Sequence, residues 1–149
     1  IAIFINETLY KSIKEAHQDQ ELFKFIESSL QILDIQADTC VNFHLIFMLK
    51  FTRYLGFYPQ ENYSEKTLIF DLREGKFTAS IPNHHYFLDV ECSLIFNQLM
   101  KMNYDELHQL KINNTLRKQI LEALISSGKL HISYFGDVKS VDVLEQVLV

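Results

Sequence analysis

Apolar residues recur every three or four positions through most of this chain, with polar residues between them. Near the start, Ile5 and Leu9 share one face, and their spacing predicts a helix over residues 1–16. A second helix is predicted from Asp19, whose short acceptor side chain suits a helix cap, to about Ile35. The apolar positions expected on its inner side are Leu22, Phe23, Phe25, Ile26, Leu30 and Leu33.

The third segment, about residues 39–55, is apolar on nearly all sides. A helix of that kind lies in the middle of a bundle, because it has no polar face to turn toward water. Gly56 suits the position just past the helix end, and Pro59 prevents the helix from continuing. Charged residues interrupt the segment, so it does not fit a membrane span of roughly 20 apolar residues.

Residues 60–83 have a different character, with two short, partly alternating runs at 67–72 and 76–80. Gly75 lies between the runs and allows the positive φ of a tight turn, which predicts a β-hairpin. Further helices are predicted at about 89–101, 104–110, 114–126 and 138–148. The sequence therefore predicts a mainly α fold, a helical bundle with one small β-hairpin insertion, forming a single domain over residues 1–149.

Charge limits the classes of function. The chain carries 14 Lys and Arg against 19 Asp and Glu, a net charge of −5. A nucleic-acid binder usually has a basic face, because affinity comes largely from neutralising phosphates. Any DNA contact is therefore expected to use a local patch or a segment outside this chain. Because Ile1 opens directly into an apolar run without an initiator Met, we expect such a segment upstream.

Metal and cofactor chemistry finds little support in the sequence. The 4 Gly are isolated, so neither a phosphate loop nor a dinucleotide fingerprint is present. Cys40 and Cys92 are far apart, and we expect reduced thiols. His84 and His85 could meet Cys92 at a zinc ion, but adjacent His side chains diverge and structural zinc needs four closely spaced ligands. We expect no metal and no cofactor.

Acid–base catalysis is the next possibility. Asp34, Asp38 and Glu91 show no spacing that pairs them, and capping or solvated roles are commoner for such residues. No Ser lies in a nucleophile-elbow pattern. The sequence therefore predicts no catalytic residue and a protein that is not an enzyme.

One stretch, residues 111–139, is locally basic, with five Lys and Arg residues against two acidic ones. A second basic pair, Lys50 and Arg53, stands near the end of the central segment. A solvated face is the simpler interpretation of both. The functional interpretation is a dock for phosphates or an acidic peptide, which needs mobile cations beside an apolar surface.

Three stretches together resemble the C-terminal domain of the RecO family of bacterial recombination mediators. The first is the central segment and its exit, residues 42–45 leading to 54–59, and the second is the hairpin at 70–77. The third is the end of the chain, residues 130–132 followed by 138–148, which resembles the Leu-Lys-Ser signature with which RecO chains close. The version here is most similar to RecO of the Bacteroidetes group.

The resemblance implies a function. RecO proteins have an N-terminal OB-fold, absent from this chain, which would bind single-stranded DNA through a basic groove and stacking aromatics. The family is cytoplasmic and non-catalytic, anneals single strands, and assists RecA loading with RecR and the single-stranded-DNA-binding protein SSB. Its helical domain would bind the acidic, apolar C-terminal tail of SSB. The alternative is an all-α protein-interaction or regulatory bundle unrelated to DNA.

Two features depart from the family pattern. Many relatives hold a four-Cys zinc site after the Leu-Gly turn, whereas residues 57–80 contain no Cys. Some relatives carry Arg at the start of the central helix, where it helps to hold the SSB tail, and this chain has Val41 and Asn42 there. Ser140 is a possible N-cap of the last helix. The candidates for contact with the SSB tail or DNA are Lys50, Arg53, Phe57, Arg117, Lys129 and Lys139.

Overall fold

The computed structural model describes residues 1–14, 19–36 and 41–148. They form, in chain order, α1 (Ala2–Ser12), α2 (Gln20–Ile35), α3 (Phe43–Tyr54), β1 (Ile69–Asp71), β2 (Lys76–Thr78), β3 (Phe87–Leu88), α4 (Val90–Lys101), a 3-10 helix (Tyr104–Gln109), α5 (Asn114–His131) and α6 (Ser140–Val147). The prediction of a mainly helical bundle with a small antiparallel β insertion is confirmed.

The centre of the bundle is α3, as its apolar pattern predicted. Nine of its 12 residues are buried, and α2, α4, α5 and the 3-10 helix pack around it. Phe43, Phe47 and Phe51 follow one another at four-residue spacing and stack in a column, with ring centroids 6.4 and 5.8 Å apart. The helix begins at Phe43, later than predicted. No helix among the described residues is long and apolar enough to cross a membrane.

The bounds and the cap of α2 agree with the prediction, and the Asp19 carboxylate accepts a hydrogen bond of 3.0 Å from the Leu22 N–H. Its packing does not agree. Phe23 is 66% exposed and Leu30 is 42% exposed, so the expectation that both lie inside is wrong. Only a narrow stripe of α2 meets the core, because this helix lies at the edge of the bundle and packs mainly on α3.

The β insertion contains the predicted hairpin and one further strand. β1 and β2 pair antiparallel, with Phe70 opposite Phe77, and Gly75 in the turn has a φ of 65°. β3 pairs antiparallel with the other edge of β1, giving the order β2-β1-β3. β3 has two residues, too few for a detectable alternation. Phe70 packs on Phe96 of α4, which fixes the sheet against the bundle.

α5 extends to His131, beyond the predicted end near Ser126. The helix passes through Gly128, where a β-carbon would lie 3.0 Å from the ring of Phe135. The glycine thus serves close packing within a helix, and that packing outweighs its low helix propensity. The prediction ended the helix too early because helix propensity depends on the local sequence and does not take the contact between Gly128 and Phe135 into account.

α6 begins at Ser140, but the prediction that Ser140 is its N-cap is wrong. The carboxylate of Glu7, from α1, accepts hydrogen bonds from the N–H groups of Lys139 (2.9 Å) and Ser140 (2.7 Å). Burial tends to raise the pKa of Glu7, but the hydrogen bonds from Ser140 and Lys139 and the charge of Lys11 lower it overall. A carboxylate at a helix N-terminus is also favoured by the helix dipole. Glu7 therefore anchors the last helix to the first.

Candidate functional site

A pocket of about 190 Å³ opens between α3, α5 and α6, and we call it the α5–α6 pocket. Its lining residues are His44, Asn114, Arg117, Lys118, Leu121, Leu144, Glu145 and Leu148. His44, Leu121 and Leu144 are buried and form the floor, whereas Lys118 is exposed at the rim. An apolar cavity of roughly 150 Å³ is enough to hold benzene. The pocket is therefore large enough for one aromatic or branched side chain.

Helical spacing places these residues on two facing stripes. On α5 the lining positions are separated by three, four and seven residues, so they share one face of the helix. On α6, Leu144 and Leu148 are one turn apart. Because Arg117 and Lys118 stand one turn before Leu121, the cations lie beside the apolar floor rather than within it.

Arg117 makes several hydrogen bonds, all to neutral oxygens. Its Nε donates to Asn42 Oδ1 (2.9 Å), its Nη1 to Asn114 Oδ1 and the Leu148 carbonyl (3.2 Å), and its Nη2 to the Ile112 carbonyl (3.4 Å). Burial lowers its pKa below the ordinary value. No acidic side chain of the described residues forms an ion pair with it. An anion entering the pocket would therefore be attracted to this guanidinium.

Lys118 differs from Arg117 because it already has an anionic partner. Its Nζ lies 2.9 Å from Glu145 Oε2, and the hydrogen bond and charge of Glu145 raise the pKa of Lys118. Exposed ion pairs of this kind contribute little to stability. Lys118 can therefore exchange Glu145 for a carboxylate of a ligand at low cost.

His44 is the polar group on the pocket floor. Its side chain is 0% exposed, and neither ring nitrogen has a hydrogen-bond partner among the described residues. Burial, helped by the charges of Arg117 and of the N-terminal amino group, lowers the pKa of His44 to about 3. The ring is neutral near pH 7. Sequence analysis did not single out His44, and its one signal was a lone His within an apolar run.

A second, more open groove adjoins the pocket and shares Arg117 with it. Its lining residues are Val41, Asn42, Leu107, His108, Leu110, Lys111, Ile112, Asn113 and Arg117, and we call it the Lys111 groove. Asp and Glu are absent from the described residues of this lining, and Lys111 is exposed. Asn42 joins the two sites, because its Nδ2 donates to the Leu110 carbonyl (3.1 Å) while its Oδ1 accepts from Arg117.

Three of the predicted contact residues lie toward the other end of α3. Along the helix axis, Lys50 and Arg53 are about 9 and 14 Å from His44 at about 1.5 Å per residue. The guanidinium of Arg53 lies 4.3 Å from the centre of the Tyr58 ring, and Phe57 stacks on His131 with centroids 4.9 Å apart. Burial and then the charge of Arg53 lower the pKa of Lys50.

The remaining candidates, Lys129 and Lys139, lie on α5 and just before α6, outside the residues that line the α5–α6 pocket. Lys129 pairs with Asp137 at 2.6 Å. Lys139 is exposed at the start of α6, where its backbone N–H is bonded to Glu7. Of the six predicted contact residues, Arg117 alone lines the α5–α6 pocket. The structure thus does not bring the predicted set together at one site.

His84 and Cys92, which were considered for zinc, have other partners. His84 lies 3.3 Å from Asp71 and accepts a hydrogen bond from the Tyr86 N–H (3.2 Å). Cys92 donates to Gln119 (3.4 Å), and burial raises the pKa of its thiol to about 12. Asp38 and Cys40 lie outside the described residues. Within the described ranges, no group of three or more His, Cys, Asp or Glu could hold a metal ion.

Comparison with known proteins identifies the family. The model of "Recombination protein O C terminal" matches residues 1–134. DNA repair protein RecO of Azobacteroides pseudotrichonymphae genomovar. CFP2 is 33% identical over 147 residues, covering 99% of this chain and 61% of the relative. RecO of Phocaeicola vulgatus is likewise 33% identical with the same coverage, and RecO of Bacteroides fragilis is 34% identical over 149 residues.

The chain spans about 61% of the length of these curated relatives. No solved structure matches it. The predicted resemblance, including its Bacteroidetes character, is confirmed. On the family model and these relatives together, the chain belongs to the RecO family of DNA repair and recombination proteins, whose C-terminal domain it matches.

Proposed function

We propose that this chain is the partner-docking part of a non-catalytic recombination mediator that acts in the cytoplasm. In this proposal the α5–α6 pocket and the Lys111 groove together bind the acidic, apolar C-terminal tail of SSB. The observation that carries the proposal is an apolar pocket beside Arg117, a partly buried cation whose described partners are all neutral.

The two parts of the site match the two parts of such a tail. The floor formed by Leu121 and Leu144 accepts one apolar side chain, because burying it removes apolar surface from water. The Lys111 groove then receives the acidic residues that precede it, since its described lining holds Lys111 and Arg117 but no carboxylate. A peptide needs both parts to bind tightly and selectively.

The position of Arg117 supports this assignment. Some relatives carry an arginine at the start of the central helix, where this chain has Val41 and Asn42. The guanidinium of Arg117 lies against Asn42, 2.9 Å from its side-chain oxygen, so an arginine from α5 occupies the same neighbourhood. We infer that Arg117 supplies the cation that other family members place on α3.

The remaining activities involve segments or partners outside this chain. A net charge of −5 agrees with single-strand binding and annealing by an N-terminal OB-fold, with this chain contributing protein contacts. RecR and the loading of RecA belong to the same proposal. Residues toward the C-terminal end of α3 and near α6 remain candidates for contact with DNA or a second partner; they are Lys50, Arg53, Phe57, Lys129 and Lys139.

The test is a titration of the full-length protein with the last residues of SSB from a Bacteroidetes relative such as Bacteroides fragilis. Lys111→Glu is expected to weaken binding by about tenfold or more, because it places a like charge in the groove. Lys101→Glu makes the same change at the exposed end of α4, outside both lining sets, and serves as the control. At about 0.15 M salt, charges more than about 8 Å apart are largely screened. The loss of affinity in Lys111→Glu therefore reflects charges close to the groove.

Equal losses for Lys111→Glu and Lys101→Glu would show that net charge, rather than the groove, governs binding. If the tail does not bind and the full-length protein also fails to bind single-stranded DNA, the alternative of an all-α interaction bundle unrelated to DNA is favoured.

A further inference from the structure

We propose that His44 is the specificity-determining group of the α5–α6 pocket and that it donates a hydrogen bond to the terminal carboxylate of the bound peptide. This inference rests on the proposed function, since it names which chemical group of the tail meets the pocket floor. It assigns a ligand-binding role to a residue that lies inside the apolar core of the bundle.

The first argument is the state of the ring. More than nine in ten buried polar groups in folded proteins have a hydrogen-bond partner, whereas both nitrogens of His44 have none among the described residues. Buried hydroxyls of Thr8 and Ser12 share this property. A hydroxyl on a helix can rotate toward a backbone carbonyl of the preceding turn, but an imidazole cannot. His44 therefore depends on a partner that arrives through the pocket it lines.

The second argument concerns charge. The charged groups around the ring are Arg117 and Lys118 on α5, Glu145 on α6 and the amino group of Ile1 beside α1. Glu145 is held by Lys118, so among the described residues the charge left without an anionic partner is positive. Burial keeps the imidazole neutral, with one N–H donor available. A carboxylate, which only accepts, satisfies that donor and lies beside Arg117, whereas a cationic ligand would be repelled.

The third argument concerns which carboxylate of the peptide reaches His44. At the last residue of a peptide, the side chain and the terminal carboxylate branch from the same Cα atom. One residue can therefore fill the apolar floor at Leu121 and Leu144 and still reach His44. A side-chain carboxylate from an internal Asp or Glu would enter the pocket without apolar atoms to cover that floor. The geometry thus selects a C-terminal apolar residue, and internal acidic residues stay in the open Lys111 groove.

A thermodynamic cycle tests the assignment. The SSB tail peptide is prepared with a free and with an amidated C-terminus, and each form is titrated into the full-length wild-type protein and into His44→Leu. Amidation is expected to weaken binding to wild type by about tenfold and binding to His44→Leu by no more than about twofold, because the variant has already lost the donor. His44→Gln, which retains an N–H donor, is expected to recover part of the sensitivity to amidation.

Equal losses on amidation in wild type and His44→Leu would overturn the role of His44 while leaving the pocket as the tail site. Failure of the free-carboxylate peptide to bind wild type would remove the proposed function, and this inference with it. A readout on wild type alone covers the case in which a variant does not fold: at saturation with each peptide, the ring NMR signals of His44 should shift further with the free-carboxylate peptide than with the amidated one. Identical shifts with both peptides would contradict the proposal.

Discussion

An arginine and a histidine lie near each end of α3, but the two pairs differ in the partners that they contact. At the C-terminal end, Arg53 covers the ring of Tyr58, while His131 stacks on Phe57 and bonds to the Leu72 carbonyl at 2.9 Å. At the N-terminal end, the ring of His44 has no hydrogen-bond partner in the described chain, and Arg117 bonds to neutral oxygens. The groups at the C-terminal end have their partners within the fold. At the N-terminal end, His44 lacks a hydrogen-bond partner and Arg117, although hydrogen-bonded, lacks an anionic partner among the described residues, so this pair is available to an anionic ligand.

The largest expected effect compares the two arginines. Arg117→Met should weaken binding of the SSB tail peptide by roughly thirtyfold or more, because removing one partner of a desolvated charge pair costs about 2–5 kcal/mol. Arg53→Met, the same change at the other end of α3, should alter the dissociation constant by less than about twofold. Fluorescence titration at fixed ionic strength measures both. Comparable losses in the two variants would remove the distinction between the ends.

The next effect is on stability at acidic pH. His44 has a folded-state pKa of about 3 against an ordinary 6.5, so the unfolded chain binds more protons between these values. The free energy of unfolding must therefore fall as pH decreases through this window, by about 1.4 kcal/mol per pH unit for one proton. Between pH 7 and pH 5, His44→Leu should lose about 2 kcal/mol less than wild type in urea unfolding. Parallel pH profiles would show that His44 titrates normally in the fold.

The lowered pKa of Glu7 also makes the free energy of unfolding fall as pH decreases, but in a lower pH range. Its contribution to stability is present above the ordinary value of 4.5 and is lost as pH falls toward its folded-state value. Measurements between pH 5 and pH 7 therefore largely exclude the contribution of Glu7, and the difference between wild type and His44→Leu gives that of His44.

The two histidines provide the third comparison, at neutral pH. His44→Leu should stabilise the protein by about 1 kcal/mol, because it removes a buried polar group that lacks a partner. His131→Leu should destabilise it by about 1 kcal/mol, because it removes a hydrogen bond to Leu72 and a ring stack. Chemical denaturation gives both values. A loss of stability in His44→Leu would mean that the ring contributes more by packing than it costs by burial.

The smallest effect concerns the internal competitor for Lys118. Glu145→Gln should tighten binding of the acidic tail by about two- to fivefold, because it frees Lys118 and removes a like charge from the pocket. Glu74→Gln removes an exposed partner of Lys76 in the β insertion and should leave the affinity unchanged. An equal gain in both variants would indicate a general effect of net charge.

Local signals in the sequence were sufficient for much of the fold. The central position of α3 followed from its lack of a polar face, the cap at Asp19 from its side chain, and the hairpin turn from Gly75. Features set by distant contacts were missed. Phe23 belongs to an amphipathic pattern but faces outward, because α2 lies at the edge of the bundle.

The site was less predictable than the fold. Arg117 was among the predicted contact residues because of local charge, but its partners Asn42 and Leu148 are 75 and 31 residues away. No periodic signal connects such positions. His44 differs from its apolar neighbours only by being polar, and what marks it is that its ring has no hydrogen-bond partner among the described residues. That property does not exist before the fold is known.

The anchoring of α6 by Glu7 has a mechanical consequence. The Glu7 carboxylate accepts two backbone hydrogen bonds that attach the start of α6 to α1. α6 in turn supplies a wall of the α5–α6 pocket. A displacement of α1 would therefore pull on that wall and change the width of the opening. A molecule bound to α1 would thereby act on the shape of a pocket whose α6 wall lies more than a hundred positions further along the chain.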